Sequence, residues 1–304
     1  MQTPTATLDF VPSVAVMPRF SVIVPCHNEQ GAVAGTIAEL RASLRDAGPY
    51  ELVLVDDGST DGTAGELTQA QSQDASLKIV THRRNRGYGA ALKSGIRHTS
   101  SELIVITDAD GTYPNNRIPE LLALASDSDM VVGARTADDV EYPLIRRIPK
   151  VFLKAYAVWV AGQDIPDLNS GLRVFRRAAV ERFLNILPDG FSFTTTISLA
   201  MLTNHYIVRY VPIGYSARIG KSKIKPFQDT LKFFQLILRT GMYFAPLRIF
   251  SPVLALFFLA FAGSLAYDIF VRQDLREATL ILMILFINST MFALLADMID
   301  KRSS

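Results

Sequence analysis

The sequence predicts an α/β domain with a mostly parallel sheet, followed by a two-helix transmembrane hairpin. Three observations predict it. Short apolar runs alternate with helix-like segments over the first half of the chain, the pattern of strands and crossover helices. Polar clusters follow those runs directly, at Pro25–Glu29, Asp56–Ser59 and Asp108–Asp110. Near the C-terminus, Ile249–Tyr267 and Ala278–Ala296 are each 19 residues without a charge, within the roughly 17–25 that span a bilayer.

The elements follow in order. Met1 to Pro18 carries no Lys or Arg and no uninterrupted apolar core, so residues 1–18 read as a flexible tail rather than a signal peptide. The α/β domain is expected over residues 19–224. Phe20–Val24 is a buried strand, stopped by Pro25, and a helix follows over about 31–46. Glu51–Val55 is the second strand and 62–71 the second helix. Leu77–Thr81, a helix over 89–99, Leu103–Thr107 and Met130–Gly133 complete the series. Trp159 lies in an apolar, helix-like stretch and is expected to pack inside. Phe227, Leu231, Phe234 and Leu238 recur at helical spacing opposite Lys225, Gln228, Lys232, Gln235 and Arg239. That amphipathic pattern predicts a juxtamembrane segment over 225–248 lying in the membrane interface. The hairpin occupies 249–299, with helices at about 249–271 and 276–298.

Composition narrows the partners. A net charge of +2 does not point to nucleic acid. One cysteine, Cys26, forms no internal disulfide and fits a reducing compartment. Lys221, Lys223, Lys225, Lys232, Arg239 and Arg248 precede the first span and Lys301-Arg302 follow the second. Arg272 and Arg276 in the connecting loop reduce the contrast, but the balance places the α/β domain on the cytoplasmic side of the cell membrane. Asn288-Ser289-Thr290 lies mid-span, where polar groups seek partners on another helix, so a homo-oligomer is expected.

Ligands of such sheets bind beyond the carboxyl ends of the strands. Thr107-Asp108-Ala109-Asp110 stands at one such end. Two carboxylates one residue apart suit Mg²⁺ or Mn²⁺, which are commonly shared between protein carboxylates and substrate phosphates. Such a site usually handles a nucleotide or a nucleotide sugar, and a plain turn is the bland alternative, because Asp and Gly are common turn residues. Asp56, Asp57 and Glu29 are candidate contacts to base and ribose, or caps of the turns that follow. Asn85-Arg86-Gly87-Tyr88-Gly89 is either a phosphate loop or a tight helix entry. Arg135, and Arg218 with Lys221 and Lys223, are candidate phosphate ligands for a lipid acceptor, or contacts to lipid head groups. The histidines show no metal-ligand spacing.

These stretches together resemble glycosyltransferase family 2, in its polyprenyl-phosphate branch, which includes dolichyl-phosphate mannose synthases. The resemblance rests on Val24-Pro25-Cys26-His27-Asn28-Glu29, Val55-Asp56-Asp57-Gly58-Ser59, Asn85 to Leu92, Thr107 to Pro114, Gly133-Ala134-Arg135, Asp167 to Arg173, and Arg218 to Lys223. It implies a GT-A (Rossmann-like) fold and an inverting transfer from a nucleotide sugar (UDP-hexose favoured, GDP-mannose the other option) to a polyprenyl phosphate. It carries nucleotide contacts onto Pro25, Glu29, Asp56, Asp57 and Asp108, and metal contacts onto Asp108 and Asp110. Relatives often place Leu-Gln after the Asp-x-Asp, the Gln helping to hold the metal; here Gly111-Thr112 stands there, so the substitute ligand is either Thr112, a weaker one, or water. Asp110, Arg135, Asp167, Arg218 and Lys223 form the expected catalytic set, with Asp167 orienting the acceptor. The alternatives are a processive polysaccharide synthase and a catalytically silent nucleotide-sugar scaffold. The Gln-x-x-Arg-Trp motif of the synthases is absent, since the only tryptophan follows Tyr156-Ala157-Val158.

Overall fold

The computed structural model describes residues 18–136, 155–215, 235 and 238–303. Its seven strands are β1 Phe20–Cys26, β2 Tyr50–Asp56, β3 Leu77–Thr81, β4 Leu103–Ile106, β5 Met130–Arg135, β6 Arg173–Arg176 and β7 Val208–Ile213. They form one sheet in the order β3-β2-β1-β4-β6-β5-β7. Pairing is parallel except at β6, which runs against both β4 and β5. The first five strands fall where the sequence places them; β6 and β7 complete the sheet.

Helices cover both faces, which is why the central strands read as continuous apolar runs. On one face Val22, Val24, Leu52, Leu54 and Val105 pack against α1 (Val33–Ser43), α2 (Thr63–Gln73) and α4 (Ile118–Leu124). On the other, Ile23, Val53, Val55, Ile104 and Ile106 pack against α3 (Tyr88–Arg97), α5 (Arg177–Phe183) and α6 (Phe193–Thr203). The alternation of neighbours between two cores is the period-2 geometry of a strand. α3 lies close enough to β1 that a methyl at Gly95 would fall 2.4 Å from Ile23 Cγ2.

Residues 155–161 are helical, and Ala157, Val160 and Ala161 pack with Leu199 and Leu202 of α6. Trp159 is not part of that contact. It is 39 % exposed, a correction to the expectation of packing: the small residues of this helix face inward instead.

Of the expected juxtamembrane segment, residues 225–234 and 236–237 lie outside the described residues; 238–244 are helical. The helix breaks at Ala245 (φ −148°, ψ 55°) and restarts at Pro246 as α7, Pro246–Tyr267. A residue before proline is driven out of the helical region, while proline itself suits the first helical position. Inside α7, Pro252 supplies no N–H to the carbonyl of Arg248, and Ser251 Oγ donates to that carbonyl at 2.8 Å.

A π-helical turn, Asp268–Arg272, and left-handed Gln273 (φ 58°) then lead to α8, Glu277–Ser303. At this tip Asp268, 1 % exposed, accepts from Arg276 N (3.0 Å), Arg276 Nε and Thr279 Oγ1 (both 2.5 Å). Both Pro246–Arg272 and Glu277–Ile299 are long and apolar enough to cross a membrane, and side chains such as Leu259, Phe292 and Ile299 are exposed. Mid-span, Asn288 is exposed and Thr290 Oγ1 donates to Phe286 O at 2.8 Å. That threonine is satisfied within its own helix.

Candidate active site

Three loops converge at the carboxyl ends of β1, β2 and β4. Register sets Cys26 beside Asp56 and Ile23 beside Ile106. Asp57 N donates to Cys26 O at 2.8 Å and Thr107 N to Ile23 O at 3.3 Å, extending the ladders into the loops. Pro25 and Glu29 are half-buried here, with Glu29 N donating to Thr63 Oγ1 at 2.9 Å.

Asp56 and Asp57 are 2 % and 3 % exposed. Asp56 Oδ1 accepts from Ser59 N at 2.9 Å, a turn cap of the kind short polar side chains make. Asp57 works harder structurally. Its Oδ1 accepts from Arg86 N at 2.9 Å and lies 2.6 Å from His82 Nδ1; its Oδ2 accepts from Gly87 N at 2.7 Å. His82 is itself buried and reaches Ser94 Oγ of α3 at 2.8 Å. His82 is thus a site-organising residue that spacing alone did not reveal.

Gly87 takes φ +104° ahead of α3, a conformation L side chains disfavour. A methyl there would meet Asp189 O at 2.5 Å, and one at Gly89 would meet Pro188 O at 2.2 Å. Ala90 N already donates to Asp189 O at 2.9 Å. Asn85–Gly89 thus makes a tight helix entry.

Asp108 and Asp110 follow β4. Asp108 Oδ1 accepts from Tyr88 OH at 3.0 Å. Its carboxylate lies against the backbone of Gly171, where a methyl would come within 2.9 Å of Oδ2. Asp110, 7 % exposed, accepts at Oδ1 from Thr112 N (3.2 Å) and Thr112 Oγ1 (2.6 Å). Thr112 is fully buried, so its hydroxyl orients Asp110. Thr36 Oγ1 anchors the turn by donating to Ala109 O at 2.8 Å.

Gly171 belongs to the loop before antiparallel β6. Gly171 N donates to Tyr113 OH at 2.7 Å. Arg173, fully buried, holds the same loop: Nε donates to Ser170 O (2.7 Å), Nη2 to Leu168 O (2.9 Å) and Nη1 to Ser198 Oγ of α6 (2.6 Å). Arg135 and Asp167 meet in a bidentate pair, Nε to Oδ2 at 2.7 Å and Nη2 to Oδ1 at 2.9 Å. Arg135 N (3.0 Å to Oδ2) and Asn169 N (3.0 Å to Oδ1) also donate to Asp167. The Arg135 guanidinium stands 5.2 Å from the centre of the Tyr215 ring, which packs edge-on against Tyr113. Arg218, Lys221 and Lys223 lie outside the described residues.

The site is electronegative. Cys26 is held far above its ordinary value by burial, then by Asp56, Glu29 and Asp108. Burial, then Asp108, raises Tyr88 well above the usual phenol range and raises Tyr113 likewise. At the other rim, burial opposes ionisation of Asp167, but hydrogen bonding and charge from Arg135 outweigh it and hold the carboxyl down to about 2. Among the described residues no three His, Cys, Asp or Glu side chains form a self-sufficient metal cluster. Two aspartates under a negative field therefore fit a divalent ion whose remaining ligands are substrate oxygens. A separate cavity of about 210 Å³, lined by His205, Phe244, Leu247, Arg248 and Asp297 among others, shares no residue with this site.

A Rossmann-like sheet with one reversed strand, carrying a two-carboxylate turn at its carboxyl edge, defines a GT-A-like transferase domain. The chain belongs to glycosyl transferase family 2, whose profile matches residues 21–184. It is 32 % identical over 243 residues to the undecaprenyl-phosphate 4-deoxy-4-formamido-L-arabinose transferase of Salmonella paratyphi A, covering 78 % of this chain and 71 % of that one. To the low-salt glycan biosynthesis hexosyltransferase Agl6 of Haloferax volcanii it is 28 % identical, covering 76 % of this chain and 56 % of that one. The fold is shared with glucosyl-3-phosphoglycerate synthase of Mycobacterium tuberculosis, solved with Mn²⁺ and UDP (TM-score 0.54, 17 % identity, 74 % and 78 % coverage). It is shared too with the mannosyltransferase PcManGT of Pyrobaculum calidifontis, solved with GDP-Man and Mn²⁺ (TM-score 0.51, 18 % identity, 97 % and 90 % coverage).

Proposed function

We propose that this chain transfers a sugar, with inversion, from a nucleotide-linked donor to a polyprenyl phosphate at the cytoplasmic face of a membrane. The observation that carries this reading is the docking of an apolar two-helix hairpin directly onto a family 2 domain, through Arg248 Nη1 donating to Val160 O at 2.9 Å. A lipid acceptor accounts for both parts at once. The name of the Salmonella relative supports the same acceptor class. UDP-hexose is the favoured donor and GDP-mannose the alternative.

The chemistry follows from the residues. Asp108 and Asp110 would hold Mg²⁺ or Mn²⁺ against the donor diphosphate; the ion supplies Lewis-acid stabilisation of the leaving group. Thr112 and Tyr88 fix the two carboxylates. Pro25, Glu29 and Asp56 line the nucleotide side, and Asp57 shapes it through Arg86-Gly87. An acceptor phosphate oxygen attacks the anomeric carbon while the bond from that carbon to the diphosphate oxygen breaks. The electron pair leaves with the nucleoside diphosphate. A phosphate acceptor is largely ionised near neutral pH, so no strong general base is required. Arg218 and Lys223 are the candidates to hold the acceptor phosphate in line, and the Arg135–Asp167 pair fixes the loop that precedes β6, so catalysis is positioning and electrostatics.

The test is a turnover panel on protein in mild detergent, with polyprenyl phosphate, Mg²⁺ or Mn²⁺ and separate UDP- and GDP-sugars. Mass spectrometry of a metal-dependent polyprenyl-phosphate sugar from one donor establishes the reading. Polymer product would favour the processive synthase. Nucleotide binding without turnover of any donor would favour the silent scaffold.

A further inference from the structure

The chain enters α6 through Pro188-Asp189-Gly190-Phe191. This loop is docked on the start of α3. Asp189 O accepts from Ala90 N at 2.9 Å, and Asp189 Oδ1 accepts from Lys93 Nζ at 2.7 Å. Gly87 and Gly89 lie so close to it that neither has room for a side chain. Phe193 N donates to Gly190 O at 3.2 Å, which ties the loop to the helix. Phe191 is thereby held in one place, yet it is 84 % exposed.

Its ring stacks on that of Tyr88, with centres 5.6 Å apart and planes 14° apart. Tyr88 OH donates to Asp108 Oδ1 at 3.0 Å. Tyr88 therefore touches the candidate metal carboxylate with its hydroxyl and Phe191 with its ring. A scattered surface phenylalanine needs no explanation; one fixed by its loop and its ring beside the reacting groups does. A diphosphate held by an ion at Asp108 and Asp110 carries its sugar one phosphate oxygen further out. Sugar and Phe191 are then neighbours of the same carboxylate. The C–H face of a pyranose is weakly positive and apolar, and the face of an aromatic ring is negative, so the two stack. The isoprenoid chain of the acceptor is the other apolar candidate. Its source is the membrane, and the hairpin root meets the opposite end of α6, where Leu199 and Leu202 pack with Val160 and Ile249. Phe193 to Leu199 alone is about 9 Å along the helix axis.

We propose that Phe191 is a specificity-determining residue of the donor site, an aromatic platform on which the pyranose ring of the nucleotide sugar rests. The inference rests on the nucleotide-sugar reading given above. It assigns the sugar contact to the loop before α6, while the nucleotide and metal contacts stay with the loops after β1, β2 and β4.

The test separates the sugar from the nucleotide. The full chain in mild detergent is titrated calorimetrically in Mn²⁺ with UDP, UDP-glucose, GDP and GDP-mannose. For the pair that wild type binds, Phe191→Ala should weaken the sugar-bearing member at least about fivefold, the scale of one aromatic contact. The bare diphosphate should stay within about twofold of its wild-type affinity, well inside the tenfold that 1.4 kcal/mol would cost. Phe191→Tyr keeps the ring and should restore the sugar-bearing member. The KM for polyprenyl phosphate and the thermal midpoint should hold at wild-type values, because the side chain is exposed. Equal weakening of both members overturns the proposal, since the ring then acts through Tyr88 and Asp108. No change in either member overturns it too, and a rise confined to the polyprenyl phosphate KM reassigns the ring to the lipid chain. Wild type that binds a diphosphate but neither sugar-bearing probe lacks a pyranose seat and overturns it as well. Wild type that binds none of the four removes the nucleotide-sugar reading, and this inference with it.

Discussion

Asp108 is held from two sides, by the Tyr88 hydroxyl and the backbone of Gly171, and its role can be separated from its fit. Asp108→Asn keeps the shape and removes the charge. We expect turnover to fall at least about 100-fold, with the thermal midpoint little changed, because charge stabilisation of a leaving group is commonly worth that much. Retained activity in Asp108→Asn or Asp110→Asn sinks the proposed metal chemistry. Gly171→Ala tests position alone. The added methyl would press on the carboxylate at 2.9 Å, so the divalent-ion concentration for half-maximal activity should rise about tenfold, the loss typical of disturbed ligand support. Asp167 makes a stability prediction. Its carboxyl sits at about 2 in the fold against about 4 unfolded, a difference worth about 2 kcal/mol. A depressed carboxyl stabilises above its unfolded value and loses that contribution as pH falls toward the folded one. The thermal midpoint of Asp167→Asn should therefore lie below wild type at neutral pH, and the gap should close between about pH 4 and pH 2. A constant gap would assign the loss to shape alone.

At the scale of elements, the reversed strand β6 builds the second half of the site. Because it runs against β4, the loop entering it, rather than the loop leaving it, arrives beside Asp108. Nothing in Arg173-Val174-Phe175-Arg176 announces this; four residues with a cation at each end carry too little pattern to declare a strand or its direction. α6 was equally hard to read, since Phe193 to Leu202 is buried throughout and so has no polar face to reveal a helical period. By contrast β1 to β5 were legible, because strands covered on both faces are written as apolar runs ending in polar clusters. The aspartates of the site were legible for the same reason. Their partners Tyr88 and His82, and Arg173 behind the Gly171 loop, come from distant stretches and only the fold assembles them. Arg173→Met should test this support: it leaves Ser170 O, Leu168 O and Ser198 Oγ without their donor, and we expect a loss of about 3 kcal/mol or more in chemical denaturation. A neutral result would mean that the loop does not depend on the buried guanidinium.

Across the whole molecule, a domain and a hairpin meet through Arg248, Val160 and Gly162. The hairpin is closed at its far end by Asp268, Arg276 and Thr279. Exposed apolar faces on α7 and α8 predict that the full chain stays with membranes through alkaline carbonate and aggregates when detergent is withdrawn; release into the soluble fraction would refute the spanning reading. The hydrophobic length of the spans was plain in the sequence. Their attachment was not, because a guanidinium reaching a carbonyl across 88 residues of chain leaves no local pattern. One buried atom has a practical consequence. Cys26 is the only cysteine, lies 1 % exposed at the end of β1, and has its thiol held far above its ordinary value, so the native fold is silent toward maleimides and other thiolate-seeking dyes. A single cysteine placed anywhere on the surface will carry its label alone, and the chain can be tagged for distance and orientation measurements without first deleting a residue beside the site.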